Sequence, residues 1–247
     1  MSLLKNLATD ESIADERDSI GGGGALESGL YEGVIKLAYI NPAKSGALGL
    51  VLHLQTSEGK EVRETFWMTS GTAKGGKNYY EKDGQKFYLP GFLMANSLAL
   101  LAVGKEISDL DTEEKAVKLW NKEAKAEVPT KVQVLTDLLN KPILAGILKE
   151  EVDKTADDGS GNYAPTGETR TQNTFDKFFR ASDKKTTAEI RAQAEKAEFF
   201  QAWEDKWKGQ TKNSAKGAAG NAGAPKASAF NSAAAQGTKK PTQSLFA

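Results

Sequence analysis

Residues 48–68 read LGLVLHLQTSEGKEVRETFWM. Leu48, Leu50, Leu52 and Leu54 alternate with Gly49, Val51, His53 and Gln55, the period of two expected of a strand that buries one face. Ser57, Glu58 and Gly59 supply a turn. In the strand that follows, Val62, Glu64, Phe66 and Met68 share one face, and Arg63, Thr65 and Trp67 share the other. Upstream, Tyr31 to Ile40 is rich in β-favouring residues and stops at Asn41 and Pro42. Three consecutive strands with short connections predict an antiparallel meander, the beginning of a small barrel or sandwich.

Further along, the pairs Tyr79, Tyr80 and Phe87, Tyr88 flank Asp83-Gly84, a strong hairpin-turn signal. Phe92 to Val103 reads as a short apolar helix after Pro90 and Gly91. A second helix is expected from Asp111 or Thr112, where acids fill the first turn, through Val117 and Trp120 to Val128, with Pro129 as its stop. Lys131 to Leu138 and Ile143 to Val152 read as two more strands, and Thr155 to Thr171 as a loop. Five strands suit a mainly β fold with added helices (α+β): an OB-type antiparallel barrel over residues 29–180, with a helical insertion near 92–128. Thr186 and Glu189 have capping-box spacing. They open an amphipathic C-terminal helix within 181–208, striped by Ile190, Ala194, Ala197, Phe200, Trp203 and Trp207.

The ends differ in character. Residues 1–28 hold two basic and six acidic residues and the run Gly21 to Gly24, a flexible acidic leader. Residues 209–247 are rich in Ala, Gly, Ser, Asn and Lys, and read as a disordered basic tail ending in Ser244, Leu245, Phe246 and Ala247. Such a tail, with Lys239 and Lys240 before its apolar tip, suits docking to a partner protein. The whole chain carries 33 basic and 33 acidic residues, so net charge selects no partner, whereas this asymmetry between the ends does. The chain has no cysteine, which excludes disulfides, thiolate zinc sites and cysteine nucleophiles. Its start lacks a signal-peptide pattern, and no stretch approaches a membrane span, so a cytoplasmic protein is expected.

Motifs for chemistry are sparse. Gly71, Gly76 and Lys77 imitate a phosphate-binding loop, but Asn78 stands where a hydroxyl should hold magnesium, and a hairpin follows where a helix is required. His53, the only histidine, reads as an ordinary half-exposed strand residue. Neighbours such as Glu150 and Glu151, or Asp157 and Asp158, point to opposite faces of a strand and read as solvated charge. No catalytic set, metal site or cofactor is expected.

Non-specific single-strand binding needs cations to follow the phosphates and flat rings on which bases stack. Trp67, Tyr79, Tyr80, Phe87 and Tyr88, interleaved with Arg63, Lys74, Lys77, Lys82 and Lys86, are the candidate DNA-binding residues. About half of the rings are expected to face solvent, with Trp67 foremost because it shares a face with Arg63.

The opening Met1-Ser-Leu-Leu-Lys-Asn-Leu with Asp10-Glu-Ser-Ile, the segment from Phe66-Trp-Met-Thr-Ser-Gly through Tyr79-Tyr80 and Phe87 to Phe92, and the closing Ser244-Leu-Phe resemble phage single-stranded DNA-binding proteins of the Enquatrovirus-like podoviruses. The resemblance covers most of the chain. It implies an OB fold, work in DNA replication and recombination within the host cytoplasm, and a C-terminal tail that engages replication, recombination or transcription proteins, host RNA polymerase among them. The tail departs from bacterial single-strand-binding proteins, in which acids precede the apolar tip. Two functions are therefore expected: a single-strand coating protein with a recruiting tail, or an adaptor or inhibitor on the same scaffold, without DNA binding, whose working end is Leu245 and Phe246.

Overall fold

A computed structural model of the chain describes residues 24–121, 124–157 and 163–216. Its strands are β1 (Gly29–Pro42), β2 (Leu48–Thr56), β3 (Glu61–Trp67), β4 (Tyr79–Lys82), β5 (Gln85–Tyr88), β6 (Glu113–Asn121), β7 (Ala126–Val134), β8 (Pro142–Asp157), β9 (Tyr163–Phe179) and β10 (Thr211–Asn213). Its helices are α1 (Pro90–Val103), α2 (Thr187–Arg191) and α3 (Phe199–Trp207). The chain is thus mainly antiparallel β with a few helices. None of the described helices is long and apolar enough to cross a membrane.

The expected meander is present: β1 pairs antiparallel with β2, and β2 with β3. β1 also pairs with β8, and a register shift between Ile35 and Leu37 bends it between its two partners. β9 extends the sheet beyond β8, leaving β3 and β9 as edges that face each other without strand pairing. The sheet curls without closing into a barrel. Leu50, Leu52 and Leu54 are fully buried beside Ile35, Phe66, Leu98, Ile147 and Phe178. Each contributes about 2 kcal/mol by leaving water.

Several expectations are corrected. Leu48, at the start of the leucine stripe, lies beyond the core and is exposed. The opposite face of β2 is not solvated: Val51 is buried with Tyr39 and Val134 under Val117, Leu119 and Val132. Those last three come from a long hairpin, β6 and β7, which replaces the helix expected over residues 111–128. The acids at its start imitate a helix cap, but Val117 and Leu119, and then Val128, Thr130 and Val132, point inward every second residue. Pro129 fits because β7 meets β1 only at Val134 and Gln133, so its missing N–H faces no further ladder among the described residues. Among its described residues, the insertion near 92–128 is therefore α-helical only in α1, with one short 3-10 turn at Ile107–Asp109. α1 starts at Pro90 and ends at Gly104, which caps it at φ +75°.

The expected strand over 131–138 is displaced into β7, and of the expected loop over 155–171 residues 155–157 are the end of β8 and residues 163–171 the start of β9. The expected single helix over 181–208 is two. Glu189 supplies the reason: it completes the capping box with Thr186, and its Oε1 accepts from the backbone N–H of Glu198 and Phe199 at 2.8 and 2.9 Å, starting α3 where α2 has ended. Glu189→Ala is expected to lower stability by about 1 to 2 kcal/mol, read from thermal melts. A variant that melts as the wild type does would contradict the double-cap role.

The two ends are also more ordered than expected near the domain. Leu26 joins the core and exchanges hydrogen bonds with Asn173. Thr211 to Asn213 form β10, parallel to β8. Residues 1–23 of the leader and 217–247 of the tail, the latter including Lys239, Lys240, Ser244, Leu245 and Phe246, lie outside the described residues.

Candidate nucleic-acid interface

The Gly71–Lys77 loop folds on itself. Amides that a phosphate-binding loop would present are consumed internally: Lys74 N–H donates to Gly71, Gly75 to Thr72, Gly76 to Gly71, and Lys77 to the Ser70 hydroxyl. Thr72 N–H ties the loop to Ser45 at 2.8 Å. What the loop does is frame a hairpin. β4 and β5 turn at Asp83 and Gly84, both at positive φ, and Leu89 N–H closes the base on Asn78.

Between this hairpin, β3, the start of α1, β9 and β10 lies an open cleft of about 1500 Å³. Trp67, Tyr80, Phe87 and Tyr88 line it, 39 to 56% exposed, and Lys74 and Lys82 line it with them. Tyr80 stacks on Phe87 at 5.6 Å, and Tyr88 leans on Phe92 at 5.0 Å. The Trp67 indole lies over Gly49, where an added Cβ would come within 3.0 Å of the ring. Glycine at 49 thus lets the ring lie against β2.

The other sequence candidates sit elsewhere. Tyr79, paired across the hairpin with Tyr88, does not line the cleft and has the Lys77 and Lys86 ammonium groups over its ring at 5.3 and 4.9 Å. Arg63 does share the outward face of β3 with Trp67, but donates to the Tyr39 hydroxyl at 3.1 Å and does not line the cleft. Of the ten candidates, six are brought together and four are not.

The floor carries residues that the sequence reading did not single out for binding. Glu64 of β3 lies largely buried, and its Oε2 accepts the Phe175 N–H of β9 at 2.6 Å. Burial pushes its pKa up to about 7. Glu150, expected to be solvated, is buried; burial works to raise its pKa, but the Ser214 hydroxyl and the Lys212 ammonium, at 2.5 and 3.1 Å, outweigh that and hold it low. Burial lowers the pKa of Lys177, which also lines the cleft, as does exposed Leu93 of α1. Only the inward register of Glu64 beside Val62 and Phe66 was available in the sequence as a sign of this floor.

His53 bonds Glu61 through Nδ1 at 2.8 Å, its Nε2 is buried without a partner, and burial lowers its pKa. It does not line the cleft. Among the described residues, no group of three or more histidine or carboxylate side chains is placed to hold a metal ion. The cleft can thus offer stacking surfaces, two exposed ammonium groups and a hydrogen-bonding floor. No family model matches the chain, and no curated protein matches it either.

Proposed function

We propose that the chain is a single-stranded DNA-binding protein whose bases stack in the cleft on Trp67, Tyr80, Phe87 and Tyr88 while Lys74 and Lys82 meet the phosphates. The observation that carries this reading is the gathering of four exposed rings and two cations around one open cleft. Unpaired bases can lie flat on such rings, whereas the bases of a duplex are already stacked on each other. The fold reading belongs to the same proposal. It is supported by β1 lying between β2 and β8 with the β3 and β9 edges turned toward each other, the strand order that an OB-type sheet would need, and by Glu64 and by Phe66 against Phe175 and Phe178 across the open seam. Coating of unwound DNA during phage replication and recombination, with the tail recruiting partner proteins, is the role that suits this chemistry.

Titration with oligothymidylate is expected to quench tryptophan fluorescence and to reverse with salt. Two phosphate contacts in the cleft correspond to a slope of about −1.4 in log K against log salt, with any tail lysines adding to it. Trp67→Ala is expected to weaken binding about tenfold to a hundredfold, the value of one lost stack, with little change in melting temperature. Absence of binding at low salt, or a Trp67→Ala variant that binds as well as the wild type, would refute the proposal. A mobility-shift comparison of single-stranded DNA, duplex DNA and RNA completes the test, with duplex the poorest ligand.

A further inference from the structure

Beneath the rings, three charged side chains from three strands meet at the cleft floor: Glu64 of β3, Glu150 of β8 and Lys212 of β10. Glu64 stands at the seam where β3 and β9 approach without strand pairing, anchored through Oε2 to the Phe175 N–H. The charges that face it are few. Glu150 and Asp176 of β9 oppose its ionisation, and Lys212 favours it. Lys212, however, is engaged by Glu150 at 3.1 Å, and α1, packed on the same strand, carries no charged residue. Among the described residues Glu64 therefore has no ion pair of its own.

Resting on the reading of the cleft as a single-strand site, we infer that Glu64 is its proton-linked contact: nucleic acid entering the cleft draws a proton from solvent onto this carboxyl wherever it is ionised and returns it on leaving, so that affinity falls as pH rises through neutrality. A strand laid over the floor brings phosphate charge and displaces water, and both disfavour a carboxylate. The group is already poised, because burial, with smaller contributions from Glu150 and Asp176, outweighs the Phe175 N–H and Lys212 and holds its pKa at about 7 without a ligand; occupation raises it further. Once neutral, the carboxyl has an O–H to donate toward a base carbonyl, while Oε2 keeps the Phe175 N–H. Thymine presents such acceptors at O2 and O4. His53, whose pKa burial lowers from the ordinary histidine value, sits outside the cleft against Glu61.

The test is oligothymidylate titration by tryptophan quenching, at fixed salt, near pH 6 and near pH 8, for the wild type and Glu64→Gln. It is joined by calorimetry of the wild type at neutral pH in two buffers of different protonation enthalpy. The wild type is expected to bind about five- to tenfold more weakly at the higher pH, and the heat to report uptake of a fraction of a proton. Glu64→Gln, which keeps an acceptor for Phe175, is expected to bind equally at both. Equal wild-type affinities, the same loss in the variant, or heats independent of buffer would overturn the inference. Should the variant fail to fold, the wild-type calorimetry decides alone. Quenching without pH dependence removes this inference and leaves the single-strand site standing; no quenching at either pH, at low salt, removes both.

Discussion

Gly91→Ala is expected to destabilise the protein by about 3 kcal/mol and to weaken single-strand binding in whatever fraction remains folded. A Cβ at position 91 would lie 2.3 Å from the Trp67 carbonyl oxygen and 2.7 Å from its carbonyl carbon and amide nitrogen. These are backbone atoms of β3 and cannot swing aside as a side-chain tip could. Relief requires the start of α1 to withdraw from the end of β3, and both segments border the cleft. The buried stretch of the helix, with Ala95, Leu98 and Ala99 fully enclosed, resists that withdrawal. Urea denaturation followed by circular dichroism measures the loss, and oligothymidylate titration of the folded fraction measures the consequence for the site. An unchanged urea midpoint would show that the contact between α1 and β3 is looser than described.

Glu64 governs the second large effect, the dependence of stability on pH. Its pKa in the folded chain is raised from an ordinary 4.5 to about 7 by burial. Between those two values the folded protein holds a proton that the unfolded chain has released, so this group's contribution is fully present below about 4.5, declines as pH rises toward 7, and levels off above it. The full span corresponds to about 3 kcal/mol. Glutamine cannot ionise, so Glu64→Gln is expected to lose this slope and to gain up to about that much stability relative to the wild type near pH 8. Denaturation of both proteins across this range is the check. Parallel curves for the two proteins would mean that Glu64 ionises in the folded state as it does in water.

The same residue marks the limit of what could be read in advance. The alternation around Leu50, Leu52 and Leu54, and of Val62 with Phe66, located two strands and a core, and it placed Glu64 on the inward face. Asp83-Gly84 located the aromatic hairpin, and Thr186 with Glu189 located a helix start. Such signals are local: each depends on residues a few positions apart whose backbone preference or side-chain period is written in their own types. Residues 111–128 misled for the same reason, because the acids of a helix cap are also local, while the Val117 and Leu119 that make the segment a strand acquire their meaning only against Tyr39 and Val51. The candidate site divides along this line as well. Rings and lysines of one hairpin could be named together, but Tyr79 and Arg63 turned to other partners, and β8, β9 and β10 joined Glu64 of β3 in the floor.

By itself, then, the sequence determined the meander of the first three strands, the turn at Asp83-Gly84, the inward side of the leucine strand, and the concentration of rings and cations between Trp67 and Tyr88. Only the tertiary structure decided that the sheet stays open between β3 and β9, that a hairpin covers its outer face, and that Glu64, Glu150 and Lys212 converge beneath the rings. The physical reason is distance along the chain: alternation and turn chemistry act over a few residues, whereas Glu64 meets the Phe175 amide across 111 positions, and no local preference records such a meeting.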